Sequence, residues 1–147
     1  MDVTLRLADD LDLPDVLRLL AILDPPEAVP LTLPEARRIL ARIERYPDYG
    51  VWVAEHERRV VGIYSLLIMD NLGHRGAPAG VVENVAVDPA CQGQGVGKAM
   101  MEHARGRCRA RGCYKMALSS NQSRTAAHAF YESLGFSRHG FSFLIDP

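Results

Sequence analysis

The spacing of apolar side chains predicts alternating strands and helices in the first part of the chain. Residues 3–7, VTLRL, alternate apolar and polar side chains, as a half-buried strand does. Apolar residues then recur at helical spacing, with Asp10 or Asp12 as the candidate cap of the helix. Thr32 and Glu35 match a capping box, which predicts that a second helix begins there.

From Gly50 the pattern becomes that of strands. Two apolar runs, 51–54 and 60–69, flank the charged turn EHERR and predict a hairpin. The segment VVENVAV is rich in β-branched residues and predicts a further strand, which Asp88-Pro89 closes as a turn.

The last third continues the mixture of helices and strands. Apolar residues every four positions predict a helix that Gly112 stops, and Tyr114 to Ser119 is predicted as a strand. A further helix ends at Gly135, and SRHGFSFLI is predicted as a closing strand or short hairpin. No repeat or linker divides the chain, so we expect one α/β or α+β domain over residues 1–147.

Composition and charge narrow the function classes. The 147 residues carry a net charge of −1, which argues against nucleic-acid binding by bulk charge. The charge is unevenly distributed, because residues 1–91 sum to −6 and residues 92–147 to +5. No apolar run reaches the roughly 18 residues of a membrane span, and no signal peptide opens the chain, so a cytoplasmic protein is expected. Three cysteines without metal spacing indicate neither a disulfide framework nor a zinc site.

The strongest local signal is the loop CQGQGVGK, between a predicted strand and a predicted helix. Its three glycines at alternate positions let a ligand approach the backbone, where N–H groups at a helix N-terminus attract an anion. Two known phosphate motifs do not fit. The dinucleotide fingerprint needs glycine at Lys98, whereas the P-loop needs glycine at Gln92 and Ser or Thr at Ala99.

The loop resembles the acyl-coenzyme A loop of the GNAT N-acetyltransferase superfamily, whose Gln/Arg-x-x-Gly-x-Gly/Ala pattern is matched by Gln92, Gly95 and Gly97. ENVAVDP resembles the strand before that loop, and SSNQSRTAAHAFYESLGF resembles a later block of the family. The resemblance covers nearly the whole chain. It implies a twisted mixed sheet of six or seven strands with about four helices, in which the fourth and fifth strands, VVENVAV and YKMALS, splay apart.

The resemblance also implies how acetyl-CoA is bound. Backbone groups of residues 85–87 would pair with the pantetheine arm and hold the acetyl carbonyl, while their side chains are expected in the core. Backbone N–H groups of residues 93–98 would bind the pyrophosphate without a metal. The implied coenzyme-binding residues are Val85, Ala86, Val87, Gln92, Gly93, Gln94, Gly95, Val96, Gly97, Lys98, Asn121 and Arg124.

Two side chains are implied to be catalytic. Tyr131 matches the family tyrosine beside the thioester sulfur, the general acid for the departing thiolate, with a core tyrosine as the alternative. Glu83 stands where many members carry the carboxylate that deprotonates the amine through water. Strand alternation places it on the face of Val81, Val85 and Val87, where partial burial would raise its pKa, unless a bulge moves it to the rim.

The block SSNQSRTAAHAFYESLGF departs from the commonest family pattern. Asn121 resembles the asparagine that contacts the pantetheine arm, but the usual asparagine position, seven residues before Tyr131, holds Arg124. Which of the two side chains contacts the coenzyme is therefore open, and each can instead be a helix cap or a loop residue.

The resemblance thus implies an N-acetyltransferase that moves an acetyl group from acetyl-CoA to a primary amine by direct attack in a ternary complex. A small-molecule amine is the first interpretation of the acceptor. A protein or peptide N-acetyltransferase and a non-catalytic acyl-CoA-binding regulatory module are the alternatives. The expected partners are acetyl-CoA and the amine, without nucleic acid or membrane, and the oligomeric state is open between monomer and homodimer.

Overall fold

The computed structural model describes residues 1–147 as two compact units, Met1–Ala117 and Leu118–Pro147. The strands are β1 (Thr4–Leu7), β2 (Tyr49–His56), β3 (Arg59–Met69), β4 (Ala79–Val87) and β5 (Lys115–Leu118). The helices are α1 (Leu13–Leu20), α2 (Leu33–Ile43), α3 (Val96–Ala110) and α4 (Thr125–Ser133). None of the four combines the length and apolar character that crossing a membrane requires.

One open sheet forms the frame of the first unit. Its strand order is β1-β2-β3-β4-β5, and the pairs β1–β2, β2–β3 and β3–β4 are antiparallel. The predicted hairpin between β2 and β3 is confirmed, and its turn residues Glu57 and Arg58 both have positive φ. The mixed α/β class is confirmed as well. The splaying of β4 from β5 stays a prediction.

Helices cover both faces of this sheet. On one face α3 packs so closely that a Cβ at Gly62 would lie 2.9 Å from Met100 Sδ. On the other face α1 contributes Val16 and Leu19 to a buried cluster with Ile63 and other strand residues. Burial of this apolar surface on both faces stabilises the sheet and fixes the end of β4 between them.

The ends of the first two helices correct one prediction and confirm another. Asp12 stands at the N-cap position of α1, as predicted, but its side chain makes no cap hydrogen bond to that helix, because it is buried against Arg6 with an Oδ2–Nη1 distance of 2.7 Å. The side-chain cap lies earlier, at Asp9, before the short 3₁₀ turn. The ion pair of Asp12 with Arg6 could not be read from local spacing. The capping box that begins α2 is present as predicted.

The number of strands is also corrected, from six or seven to five. SRHGFSFLI was expected to close the sheet, but residues after Phe136 form no helix or strand. Alternating residues form a strand only when a neighbouring strand pairs with them. Here no strand forms backbone hydrogen bonds with this segment. Its apolar side chains are consequently 87–94% exposed, namely Phe141, Phe143, Leu144 and Ile145.

Candidate active site

The expected coenzyme loop joins the end of β4 to the start of α3. A short 3₁₀ turn, Pro89–Cys91, follows β4, and Gly93 and Gly95 then have φ of 74° and 87°. These are left-handed conformations that glycine adopts without steric cost. No other atom lies within 4 Å of where a Cβ would stand at either glycine. The loop therefore needs glycine for its backbone conformation, and the space above it is open.

Backbone donors are concentrated at this loop. The first backbone hydrogen bond of α3 runs from the Ala99 N–H to the Gly95 carbonyl at 3.0 Å. None of the N–H groups of residues 93–98 donates to another backbone carbonyl. Together with the dipole of a 15-residue helix, these free donors create a site of positive potential. This arrangement fits the pyrophosphate group expected there.

The loop's polar side chains hold its own backbone. Gln94 Nε2 donates to the Ala90 carbonyl at 3.0 Å, and Gln92 Nε2 donates to the Val87 carbonyl at 3.4 Å. Lys98 is exposed, and its Nζ lies 3.9 Å from Glu102 Oε1. Lys98 is thus the one cationic side chain of residues 92–98.

A β-bulge interrupts β4 just before this loop. Glu83 pairs with Ser65 of β3, but Ala86 pairs with Ile63, so two residues of β4 lie opposite Tyr64 alone. The extra residue is accommodated by Asn84, whose φ of 55° lies in the left-handed region that asparagine tolerates better than most residues. The bulge leaves backbone groups of β4 without partners on β3. Sequence reasoning missed Asn84, although an asparagine inside a β-branched run was a signal for it.

The bulge changes which side chains share a face with Glu83. Val87 lies opposite Gly62, on the α3 face, whereas Ala86 belongs to the buried cluster with α1. Glu83 therefore shares its face with Ala86 and not with Val87, and simple alternation was wrong here. Glu83 is also exposed, so the partial burial expected for it is absent and the rim position is the observed one.

Residues 85–87 only partly fill the core. Ala86 is 5% exposed and lies in the buried cluster, as expected. Val85 and Val87 are half-buried. Their backbone roles toward the pantetheine arm stay predictions.

Asp88 is the second feature that sequence reasoning missed, because it was read only as a turn residue. Its Oδ1 accepts from the Ala90 N–H at 3.0 Å, and its Oδ2 accepts from Arg18 Nη1 at 2.9 Å. These hydrogen bonds, with the charges of Arg18 and Arg59, hold the pKa of Asp88 below its ordinary value. Arg18 stands 70 residues earlier, so no local pattern links it to the loop.

In the second unit, Tyr131 is a buried residue of α4. It is 9% exposed, and its ring centroid lies 5.3 Å from that of Phe130 and 5.6 Å from that of Phe136. Burial raises the pKa of its phenol, and the charge of Arg124 opposes this in part. The phenol is therefore protonated at neutral pH and can act as a proton donor.

Asn121 and Arg124 differ in whether their polar side-chain atoms are already hydrogen-bonded within the protein. Asn121 Oδ1 accepts from both the N–H and the Oγ of Ser123, at 2.9 and 2.8 Å, which makes it a turn-forming residue. Arg124 begins α4, and its guanidinium makes no side-chain hydrogen bond or ion pair. Of the two, Arg124 has the freer polar group.

No group of three or more His, Cys, Asp or Glu side chains is arranged to hold a metal ion. His128 Nε2 lies 2.9 Å from the carbonyl of Asn121, a residue of the expected site, whereas His56, His74 and His103 contact residues outside it. Tyr64, which is fully buried, has its hydroxyl 2.6 Å from His103 Nδ1, and the same imidazole lies against Trp52. Trp52 is 9% exposed and belongs to the core.

Comparison with known proteins finds relatives over most of the chain. Residues 16–136 match the family model described as acetyltransferase (GNAT) family. The chain is 36% identical over 141 residues to the glucosamine 6-phosphate N-acetyltransferase of Trypanosoma brucei brucei, which covers 95% of this chain and 92% of that protein.

Two further relatives extend the comparison. The crystal structure of a Trypanosoma brucei acetyltransferase superposes with a TM-score of 0.84 at 35% identity, over 99% of this chain and all of that one. A shorter match, 47% identical over 53 residues, is to the ribosomal protein bS18-alanine N-acetyltransferase of Escherichia coli and covers 36% of each protein.

Proposed function

Since this chain belongs to the acetyltransferase (GNAT) family and is an acetyl-CoA-dependent N-acetyltransferase, we propose that it acetylates a small primary amine by direct attack in a ternary complex. An amino-sugar phosphate is the first acceptor to test. The observation that carries the acceptor class is the near full-length similarity to a glucosamine 6-phosphate N-acetyltransferase.

Coenzyme binding is proposed to rest on the backbone of β4 and of the loop. The N–H groups of residues 93–98 support binding of the pyrophosphate, since none donates to another backbone carbonyl and the space beside Gly93 and Gly95 is open. The bulge at Asn84 supports binding of the acetyl carbonyl by residues 85–87, because it frees backbone groups from the β3 ladder. Donors of this kind stabilise the oxyanion that develops on the carbonyl during transfer.

Tyr131 is proposed as the general acid. As the amine nitrogen bonds to the acetyl carbon, the carbon–sulfur bond breaks and leaves a thiolate. The thiolate takes the phenolic proton, the new amide nitrogen loses its extra proton to water, and the phenolate is reprotonated from solvent before the next cycle. An ordinary tyrosine, with a pKa of about 10, is already protonated at neutral pH, and burial raises the pKa of this phenol further, so its proton is present when the thiolate leaves.

Glu83 is proposed as the general base that accepts the proton of the attacking amine through water. Its exposed position beside the bulge gives water access to the carboxylate. Removal of that proton generates the neutral amine that attack requires.

A peptide N-terminus is the second candidate acceptor, because of the 53-residue match to an alanine N-acetyltransferase. The two candidates differ in what the acceptor side must bind. The segment between α1 and α2 and the loop between β3 and β4 are the proposed acceptor walls. The first of these exposes Val29 and Leu31, side chains suited to an apolar contact with a peptide.

A thiol-release assay with acetyl-CoA distinguishes the candidates. The acceptors compared are glucosamine 6-phosphate, glucosamine, an alanine-terminated peptide and N-acetylglucosamine 6-phosphate, which has no free amine. We expect the highest kcat/KM for a small amine and none for the N-acetylated control. A higher kcat/KM for the peptide would replace the first acceptor class by the second.

A cytoplasmic location is also proposed, because all three cysteines are free thiols, as reducing compartments maintain them. Oligomeric state stays open between monomer and homodimer. Analytical ultracentrifugation of the purified chain measures it directly.

A further inference from the structure

Asp88 carries a negative charge beside the loop that is proposed to bind a polyanion, although Arg18 and Arg59 stabilise that charge within the protein. Its side chain is 10% exposed and lies between β4 and a loop whose free N–H groups face an expected polyanion. A carboxylate at that place repels a pyrophosphate, so charge alone argues against it. Some other contribution must outweigh the repulsion.

The hydrogen bonds of Asp88 fix the first turn of the loop. Its backbone N–H donates to the Val61 carbonyl of β3 at 2.8 Å, while Oδ1 accepts from the Ala90 N–H. The residue thereby joins the end of β4 to β3 and sets the direction in which the chain leaves the sheet. Two side chains of the loop also reach the sheet, since Gln92 donates to the Val87 carbonyl and the buried Val96 packs against β3 at Gly62. The turn at Asp88 adds the hydrogen bonds that set where the loop begins.

Arg18 connects the same carboxylate to two other elements. From α1, its Nη1 donates to Asp88 Oδ2 at 2.9 Å and its Nη2 donates to the Val60 carbonyl of β3 at 3.1 Å. Its Nε donates to Asp15 Oδ1 at 3.0 Å, on the exposed side. The planar guanidinium can make all three contacts at once, which a lysine ammonium on a flexible chain cannot reproduce.

We infer that Arg18 and Asp88 are positioning residues for acetyl-CoA, which hold the loop 92–98 in the geometry that binds the pyrophosphate. This inference rests on the proposed coenzyme site. Neither residue needs to touch the coenzyme, and their effect is on the affinity for acetyl-CoA rather than on the chemical step. The remaining cation near Asp88, Arg59, lies 3.7 Å away and is largely exposed, so it contributes less.

The substitution Asp88→Asn separates positioning from electrostatics by the sign of its effect. Asparagine keeps an acceptor for the Ala90 N–H but loses the ionic contact with Arg18. Positioning predicts that the KM for acetyl-CoA rises by about tenfold, with kcat unchanged. Electrostatic repulsion alone predicts a lower KM, and a lower or unchanged KM in a folded variant would overturn the inference.

Two aspartates provide matched controls. Asp15→Asn removes the other carboxylate that contacts Arg18 and should leave the KM for acetyl-CoA unchanged. Asp12→Asn disrupts an equally buried aspartate–arginine pair far from the loop in sequence. It should lower the melting temperature without a change in this KM. A rise in KM for Asp12→Asn as large as that for Asp88→Asn would assign the effect to stability and reject positioning.

Arg18→Lys completes the test. The ammonium retains the charge but cannot bridge Asp88 and the Val60 carbonyl together, so we expect a KM between those of the wild type and Asp88→Asn. Titration of the wild type with acetyl-CoA is measured first by calorimetry. Failure of the wild type to bind would reject the proposed coenzyme site, whereas normal wild-type binding with unaffected variants would reject only the positioning role.

Discussion

Two stretches of the chain carry the proposed site residues, and they differ in the kind of group they supply. Residues 84–98 are shaped by backbone conformation, through the left-handed Asn84, Gly93 and Gly95 and a row of free N–H groups. Residues 119–136 form a turn and the nine-residue α4, and what they offer is side chains, above all the buried phenol of Tyr131.

This difference has a consequence for substitutions. In residues 84–98 a change matters when it alters the dihedral angles or the anchoring of the loop. In residues 119–136 a change matters when it removes a functional group. Substitutions in the first stretch should therefore affect mainly the KM for acetyl-CoA, whereas in the second stretch the largest effect should be that of Tyr131 on kcat.

The largest effect, a loss of kcat, is expected for Tyr131→Phe. It removes the hydroxyl and keeps the ring that packs on Phe130 and Phe136. Loss of general acid catalysis should lower kcat by about 1,000-fold, with the KM for acetyl-CoA unchanged. Thiol release at saturating acceptor measures it. Tyr46→Phe, at a 55% exposed tyrosine, is the matched control, and an unchanged kcat for Tyr131→Phe would remove the proposed acid.

Glu83→Gln tests the one side chain of the bulged strand that is proposed to act chemically. Because the carboxylate is exposed, bulk water partly substitutes for it, and we expect a loss in kcat of about 100-fold, at the lower end for general bases. Glutamine cannot accept a proton. Thiol release at saturating acetyl-CoA and acceptor measures the loss, and a kcat identical to that of the wild type would exclude the base role.

Gly95→Ala tests the backbone side of the comparison with the smallest possible side chain. There is room for the methyl group, so the cost is conformational only, about 1–2 kcal/mol for a left-handed residue, or about tenfold in the KM for acetyl-CoA. Gly106→Ala in the interior of α3 is the control. It should raise stability by up to about 1 kcal/mol and leave KM unchanged. Equal effects at both glycines would contradict the comparison.

The smallest effects are expected for Arg124→Ala and Asn121→Ala. The free guanidinium of Arg124 should contribute about threefold to the KM for acetyl-CoA, with an effect that declines as salt is added. Asn121→Ala should instead lower thermal stability, because its carboxamide holds Ser123. The reverse pattern would make Asn121 the coenzyme contact.

Local signals predicted much of the fold. The capping box at Thr32, the glycine-rich loop and the stop signals at Gly112 and Gly135 each depend on a few neighbouring residues, and the two glycines do have positive φ. Sequence also gave the family resemblance on which the proposed roles of Tyr131 and Glu83 depend. These features are readable because their causes lie within one turn of chain.

The features that were not predicted have distant causes. The inserted residue at Asn84 leaves the apolar pattern of β4 intact, so the sequence offered a bulge only as an alternative, and the register against β3 sets its position. Asp88 meets Arg18 across 70 residues. The prediction of a closing strand was wrong for the same reason, because the alternation in FSFLI indicates a propensity for β-structure but does not specify a partner strand.

The bulge at Asn84 has a further consequence, for the way this enzyme would respond to selection. Deleting one residue there would let β4 pair continuously with β3 and remove a left-handed residue, both of which favour the folded state. The sheet is therefore less stable than its own sequence could make it with one residue fewer. A library selected for heat resistance alone should converge on regular strands at this position and lose acetyl transfer as it does so.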